Sequence, residues 1–392
     1  MTRVSVVSTT NPIMPTQASQ PRGAVKTPAG FAPAGQIREL QEQINRALAE
    51  YVEGQAREYA ERRVFASLCH DVTEFVCRPG KRLRPLLFLL GHRVFGRAAG
   101  GAGQAVSEAA LLKVAVSLEL LHAFILVHDD IIDRAETRRG LPTLHRVIEG
   151  RFAAFTDRHR AGRNLALVMG DILFALAQNC LARAGLPPEL AVRLGARLLD
   201  CMVETGFGEA ADIIHSTRDV AKVSAADIEH MYCLKTTCYT VEGPLVMAAI
   251  LSGADDATLE AIGRVARPAG LAFQIQNDLQ EFARFEVSDA EVPADILEGK
   301  KTLLMRTAYE RLSESDRGLL QLCFGSGQPT EGTVSKAREL VVKSGAVGVL
   351  SERMDQLFAA SQQETRWPGF APETQRDLAA LLQLVRGMAS PS

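Results

Sequence analysis

The sequence predicts an all-α fold, a single large helical bundle, on three observations. From Gln36 onward apolar residues recur at intervals of three and four, alternating β-branched runs are scarce, and glycine and proline gather in a few separable places. The first pattern lays an apolar stripe along a helix, the second leaves little to build a sheet, and the third marks turns between helices. No fixed period repeats along the chain. Its 392 residues, 47% of them apolar, suffice for a large buried core.

Taken in order, residues 1–36 are rich in Thr, Ser, Pro, Ala and Gly and carry Arg3, Arg22 and Lys26 with no acid before Glu39. Such a stretch buries too little apolar surface to order itself, so a disordered tail is expected ahead of one folded unit over 37–392; a transit peptide is the other reading of that composition. Helices follow at Ile37 to Tyr59, Ser107 to His128, Asn164 to Arg183, Pro188 to Glu204, Ala257 to Phe285 and Lys300 to Leu312. Residues 290–299, acidic and holding Pro293, read as a loop between long helices. The runs Leu111 to Val127 and Leu165 to Ala182 are apolar on nearly every face, which demands burial at the centre of a bundle or against a second subunit. A homodimer is the expectation, a thick-cored monomer the alternative. Charge interrupts each run before the roughly 18 residues a bilayer crossing needs, so no transmembrane segment and a cytoplasmic protein are expected.

The net charge of −2 gives no global field for nucleic acid, so any anion must be bound locally. Seven scattered cysteines without a C-x-x-C pair argue against a disulfide framework or a zinc knot.

The sharpest local feature is His128-Asp129-Asp130-Ile131-Ile132-Asp133. On a helix Asp129 and Asp133 project from one face a turn apart, where like charges repel and call for a cation between them. Magnesium, which keeps its waters and shares its shell with phosphate, suits that need; a solvated acidic helix end is the plainer reading. Five residues on, Arg138-Arg139-Gly140 places guanidinium forks suited to diphosphate oxygens beside those acids. Lys81 and Arg84, after the Pro79-Gly80 turn, are read as sharing a helix face, a second phosphate pocket or simply surface charge. Downstream, Asp278 and Glu281 lie at i and i+3 inside an apolar helix and need partners or metal.

In this order the elements resemble the trans-isoprenyl diphosphate synthase family, also called polyprenyl synthetases, from roughly Gln36 to the C-terminus. The resemblance rests on Gly80-Lys81-x-x-Arg84-Pro85, Asp129 to Asp133, Arg138-Arg139-Gly140-x-Pro142-Thr143, Gly170-Asp171, Lys235-Thr236 and Phe273-Gln274. It implies an isoprenoid-synthase bundle around a central apolar cavity, using two to three magnesium ions. It further implies that Asp129 and Asp133 ligate magnesium with Asp130 supporting them, that Asn277 and Asp278 form a second metal corner, and that Arg138 and Lys235 hold an allylic prenyl diphosphate. Lys81, Arg84, His122 and Arg139 would hold isopentenyl diphosphate, with Thr236, Gln274 and Lys300 completing the substrate contacts. Phe124, about 7 Å below the acids at about 1.5 Å per residue, would floor the cavity and limit the product to C15 or C20, with C20 favoured.

The resemblance fails in one corner. Asn277 and Glu281 stand where the family usually has aspartates, and Ala290 and Glu291 where it has a lysine. Head-to-tail elongation is the leading expectation. Cyclisation or irregular coupling of a prenyl diphosphate, and a non-catalytic subunit of a heteromer, are the alternatives.

Overall fold

The computed structural model describes residues 32, 34–60, 66–98, 106–287, 299–323 and 331–389. The tail expected over 1–36 lies outside these except at its end, where the first helix already begins at Ala34. Of the expected loop over 290–299 only Gly299 is described.

Helices dominate. In chain order they are α1 (Ala34–Ala60), α2 (Ala66–Cys77), α3 (Leu83–Ala98), α4 (Glu108–Ile132), α5 (Leu144–Arg151), α6 (Arg158–Ala182), α7 (Pro188–Ser216), α8 (Ala225–Tyr232), a π-helical stretch (Cys233–Glu242), α9 (Gly243–Leu251), α10 (Asp256–Val287), α11 (Leu303–Arg311), α12 (Glu314–Cys323), α13 (Glu331–Ser344), α14 (Ala346–Glu364) and α15 (Pro372–Ala389). The strands described are β1 (Thr137–Arg138) and β2 (Leu141–Pro142), an antiparallel pair between α4 and α5. Their register leaves Arg139 and Gly140 as a two-residue loop, both at positive φ (55° and 74°), the backbone that a tight hairpin of this length prefers.

Helix α4 runs through the core. Ser107 caps its start by accepting the amide of Ala110, and Val114, Leu118, Leu120, Leu121 and Val127 are buried along it. It packs on α6, while α10 packs on α14 and on the π-helical stretch, which also meets α7. Two helices correct the expectation that no apolar run is long enough for a membrane: α4 and α6 both pass by length and composition. For α4 the reason is burial within the fold, 61% of its apolar window. For α6 the share is 39%, and Leu167, Val168 and Ile172 on it, with Val192, Leu199, Val203 and Phe207 on α7, stand exposed.

A cavity of about 300 Å³ lies beside the N-terminal end of α4, lined by Leu40, His92, Arg93, Glu108, Leu111 and Leu112 among others. Leu112 and Asp129 are seventeen residues apart on one helix, about 25 Å at about 1.5 Å per residue, so this cavity is remote from the acidic cluster.

Candidate active site

The last turn of α4 gathers Asp129 and Asp130, and Asp133 caps it. Three carboxylates at a helix C-terminus oppose the macrodipole and one another, so the cation expected from the sequence is a structural necessity. Three elements each supply one. From the hairpin, Arg138 Nε donates to Asp130 Oδ1 at 2.6 Å and Nη2 to Asp129 Oδ2 at 2.9 Å. From the π-helical stretch, Lys235 Nζ stands 3.6 Å from Asp129 Oδ1, and Lys300, just before α11, pairs with Asp133.

Lys235 is itself held from α7, by Asp212 at 2.6 Å and Glu209 at 2.8 Å. That grip depends on Gly208, whose added Cβ would lie 2.3 Å from the Lys235 backbone nitrogen, so only glycine lets α7 approach the π-helical backbone this closely. Burial opposes the charge on Lys235, but Asp212, Asp129 and Glu209 overcome it and hold the ammonium well above its usual range.

Burial likewise opposes the charge on Asp129, yet Lys235, Arg138 and Lys300 keep its carboxyl below the usual carboxylate range, ionised and able to ligate. Asp130 is fully buried and pushed up to about 6, chiefly by desolvation, with Arg138 pulling the other way. Its Oδ2 has no partner among the described residues. No group of three or more acidic, His or Cys side chains closes a cage around a metal among the described residues. Magnesium is commonly held by one or two carboxylates, with water and phosphate oxygens filling its octahedron. Asp129 and Asp133 are the carboxylates that would hold it.

A second cluster is cationic, and its arginines share with Arg138 an influence on His122. Gly80 abuts Arg139, whose Nη1 would lie 2.8 Å from an added Cβ and donates to the Pro79 carbonyl at 3.0 Å. Arg84 donates to Thr240 Oγ1 at 2.8 Å and lies 4.2 Å over the Tyr239 ring, which is 6.2 Å from that of His122. Desolvation first, then the charges of Arg84, Arg139, Arg138 and Arg82, hold His122 neutral, well below the usual imidazole range. Its Nδ1 and the Arg84 Nε are shielded from solvent without a partner among the described residues.

The reading of Lys81 and Arg84 as neighbours on one helix face is corrected. Helix α3 begins at Leu83, and Arg82, at φ 51°, turns the chain between them while its guanidinium pairs with Glu119 at 2.6 Å. Lys81 therefore points to the C-terminal helix, donating to the Met388 carbonyl at 2.7 Å, and Arg84 to the π-helical stretch. Phe124 stands on α4 five residues before Asp129, its ring 4.6 Å from His128 and 5.3 Å from Phe174; His128 in turn lies against Gly170.

In the second acidic corner Gln274 Nε2 donates to Asp278 Oδ1 at 2.8 Å, Thr236 Oγ1 donates to Gln274 Oε1 at 2.9 Å, and the Tyr232 hydroxyl donates to Asp278 Oδ2. Burial pushes Asp278 up to about 7 against those two hydrogen bonds. Sequence reasoning missed Glu209, Asp212, Tyr232, Tyr239 and Thr240. Glu209 and Asp212 had a usable signal, the same i, i+3 acidic spacing read at Asp278 and Glu281. Tyr239 and Thr240 are placed by the π-helical stretch, whose i→i+5 bonding shifts side chains off the helical register, and Tyr232 stands at its start as the last residue of α8.

A family model described as polyprenyl synthetase matches residues 66–341. The short chain isoprenyl diphosphate synthase of Methanothermobacter thermautotrophicus is 33% identical over 269 residues, 68% of this chain and 74% of the relative. The geranylfarnesyl diphosphate synthase of Aeropyrum pernix is 32% identical over 278 residues, 70% and 79% of the two chains. Among solved structures, the geranylgeranyl pyrophosphate synthase of Corynebacterium glutamicum, complexed with isoprenyl diphosphate and magnesium, superposes with a TM-score of 0.79 at 26% identity, covering 90% of this chain and 99% of that one. With a family model matched over most of its length and relatives above 30% identity covering two thirds of it or more, the chain belongs to the polyprenyl synthetase family.

Proposed function

We propose that the protein is a magnesium-dependent prenyltransferase that condenses isopentenyl diphosphate head-to-tail with an allylic diphosphate to give a short-chain prenyl diphosphate, geranylgeranyl diphosphate foremost. The observation that carries this reading is the pairing of the two clusters. Carboxylates met by Arg138, Lys235 and Lys300 form one cluster, and Arg84 and Arg139, which form no salt bridge among the described residues, form another, with charges of both acting on His122. Two diphosphates could thus be held by different chemistry, one through metal and one through guanidinium. The relatives named as short chain, geranylfarnesyl and geranylgeranyl synthases support elongation over cyclisation or a non-catalytic role.

Bound magnesium would place positive charge on the oxygens of the departing diphosphate, where negative charge grows as the allylic carbon–oxygen bond breaks. Asp129 and Asp133 would hold it, with Arg138 fixing the orientation of Asp129 and Asp130. Arg138 and Lys235, already charged and held in place, would stabilise the same oxygens without reorganising. Arg84, Arg139, Lys81 and neutral His122 would position isopentenyl diphosphate so that its double bond attacks the allylic carbon, and the released pyrophosphate would take the proton then lost. Asn277 could offer only an uncharged oxygen, so a third ion would be held weakly.

The direct test is purified protein with magnesium and dimethylallyl, geranyl or farnesyl diphosphate, each with and without isopentenyl diphosphate, analysed by mass. Elongation only when both partners are present is expected, whereas a hydrocarbon or alcohol from one allylic substrate sinks this reading. The floor is tested by Phe124→Ala: loss of the ring packed at a tilt against Phe174 and His128 should lengthen the main product by at least one five-carbon unit. An unchanged product would remove Phe124 from that role.

The exposed apolar residues of α6 and α7 suit a second copy of the chain, whose burial would remove their surface from water. Phe207, 68% exposed, is the test position. Light scattering should show the wild type at twice the chain mass and Phe207→Glu as a monomer. A dimeric variant would place the interface elsewhere.

A further inference from the structure

Tyr232, the last residue of α8, is 3% exposed and lies between two parts of the site that are far apart in sequence. A phenol has one proton to give and two lone pairs to offer. Tyr232 gives its proton to Asp278 Oδ2 and accepts the backbone amide of Leu303 at 3.1 Å. Leu303 opens α11, and the first amides of a helix have no carbonyl partner within it. Thr302 takes the amide of Met305 at 3.3 Å as N-cap, and Tyr232 takes that of Leu303. Three residues earlier Lys300 pairs with Asp133 of the first acidic cluster. Both oxygens of Asp278 are engaged by neutral protein donors, Tyr232 on one and Gln274 on the other, and the residue is 6% exposed.

We infer that Tyr232 is a positioning residue of this site: its hydroxyl fastens Asp278 to the backbone at Leu303 and so sets the segment carrying Lys300 between the two acidic clusters. Asp278 then serves as the hub of this connection rather than as a metal ligand in its own right. Residues 300–303 form the strut, anchored at one end by a side chain on Asp133 and at the other by a main-chain amide on Tyr232. Magnesium arriving at Asp133 would compete with Lys300, and the Tyr232 end would keep the freed lysine within reach of the diphosphate. The role in turnover rests on the prenyltransferase reading above; the anchoring does not.

The variant Tyr232→Phe keeps the ring and removes only the hydroxyl. Hydrogen exchange read by mass on the substrate-free protein, with and without magnesium alone, should show the peptide over 299–305 exchanging at least tenfold faster than in the wild type, with peptides of α4 and α6 unchanged. In the elongation assay the variant should lose about tenfold in kcat and need more magnesium for half-maximal rate, while KM for both diphosphates stays within twofold. Unchanged exchange at 299–305 overturns the proposal, and so does an increase spread evenly over the chain, which would mark a merely structural role. A wild-type protein that does not elongate sinks the prenyltransferase reading, and the exchange result then decides the anchoring alone. Should the variant fail to fold, the wild type still decides: rapid exchange of the 299–305 peptide there removes the strut.

Discussion

Replacing Asp129 or Asp133 by alanine is expected to lower turnover by about 10² to 10³-fold while leaving the helical fold in place. The size follows from losing a group that holds charge against the leaving diphosphate, where one such contact is commonly worth about 3 to 4 kcal/mol of barrier. The fold should survive because no cation is stranded. Without Asp129, Lys235 keeps Asp212 and Glu209, and Arg138 keeps Asp130; without Asp133, Lys300 still lies near enough to Asp129 to pull its carboxyl down. Removing one of three like charges at the end of α4 relieves repulsion but also gives up attraction to the cations there, so the melting temperature should shift little. Steady-state rates and circular dichroism of each variant test this. Turnover within threefold of the wild type, at equal magnesium, would end the assignment of these carboxylates as metal ligands.

The second large effect is expected from Gly208→Ala, a change of one methyl group outside the acidic clusters. The added carbon would meet the Lys235 nitrogen at 2.3 Å, its Cα at 2.6 Å and the Leu234 carbonyl carbon at 2.8 Å, all of them backbone atoms that no rotamer change can move aside. Helix α7 and the π-helical stretch must part, which costs about 1 to 3 kcal/mol as overpacking and moves the Lys235 ammonium off its two carboxylates. A displacement near 1 Å at such a site can cost about a hundredfold in rate, so kcat/KM for the allylic substrate should fall by about that factor. Gly206→Ala supplies the control, since nothing lies within 4 Å of a Cβ there and alanine favours the helix by about 1 kcal/mol over glycine. If both variants behave alike, close approach at Gly208 does not place Lys235.

The two variants mark the line between what could and could not be read in advance. Asp129 and Asp133 were legible because a four-residue spacing on a helix is local geometry, and the basic hairpin beside them is only a few residues away. Nothing local says that Glu209 and Asp212 reach Lys235, or that Tyr232 stands between Asp278 and Leu303. The face shared by Lys81 and Arg84 was misread because an arginine at positive φ, held by buried Glu119, breaks the helix register between them. Helix α4 shows the same limit from the other side: its all-round apolar surface demanded burial, its length and hydropathy also suit a membrane crossing, and its packing within the bundle shows where that surface goes.

By itself the sequence determined the helical frame, the acidic turn of α4 and the arginine hairpin, because these depend on residues within a turn or two of one another. The tertiary structure decided which cations answer those acids and how the second acidic corner is tied to the first. Those contacts form where helices distant in the chain approach closely, and that approach is set by side-chain volume at positions such as Gly208 rather than by any local pattern.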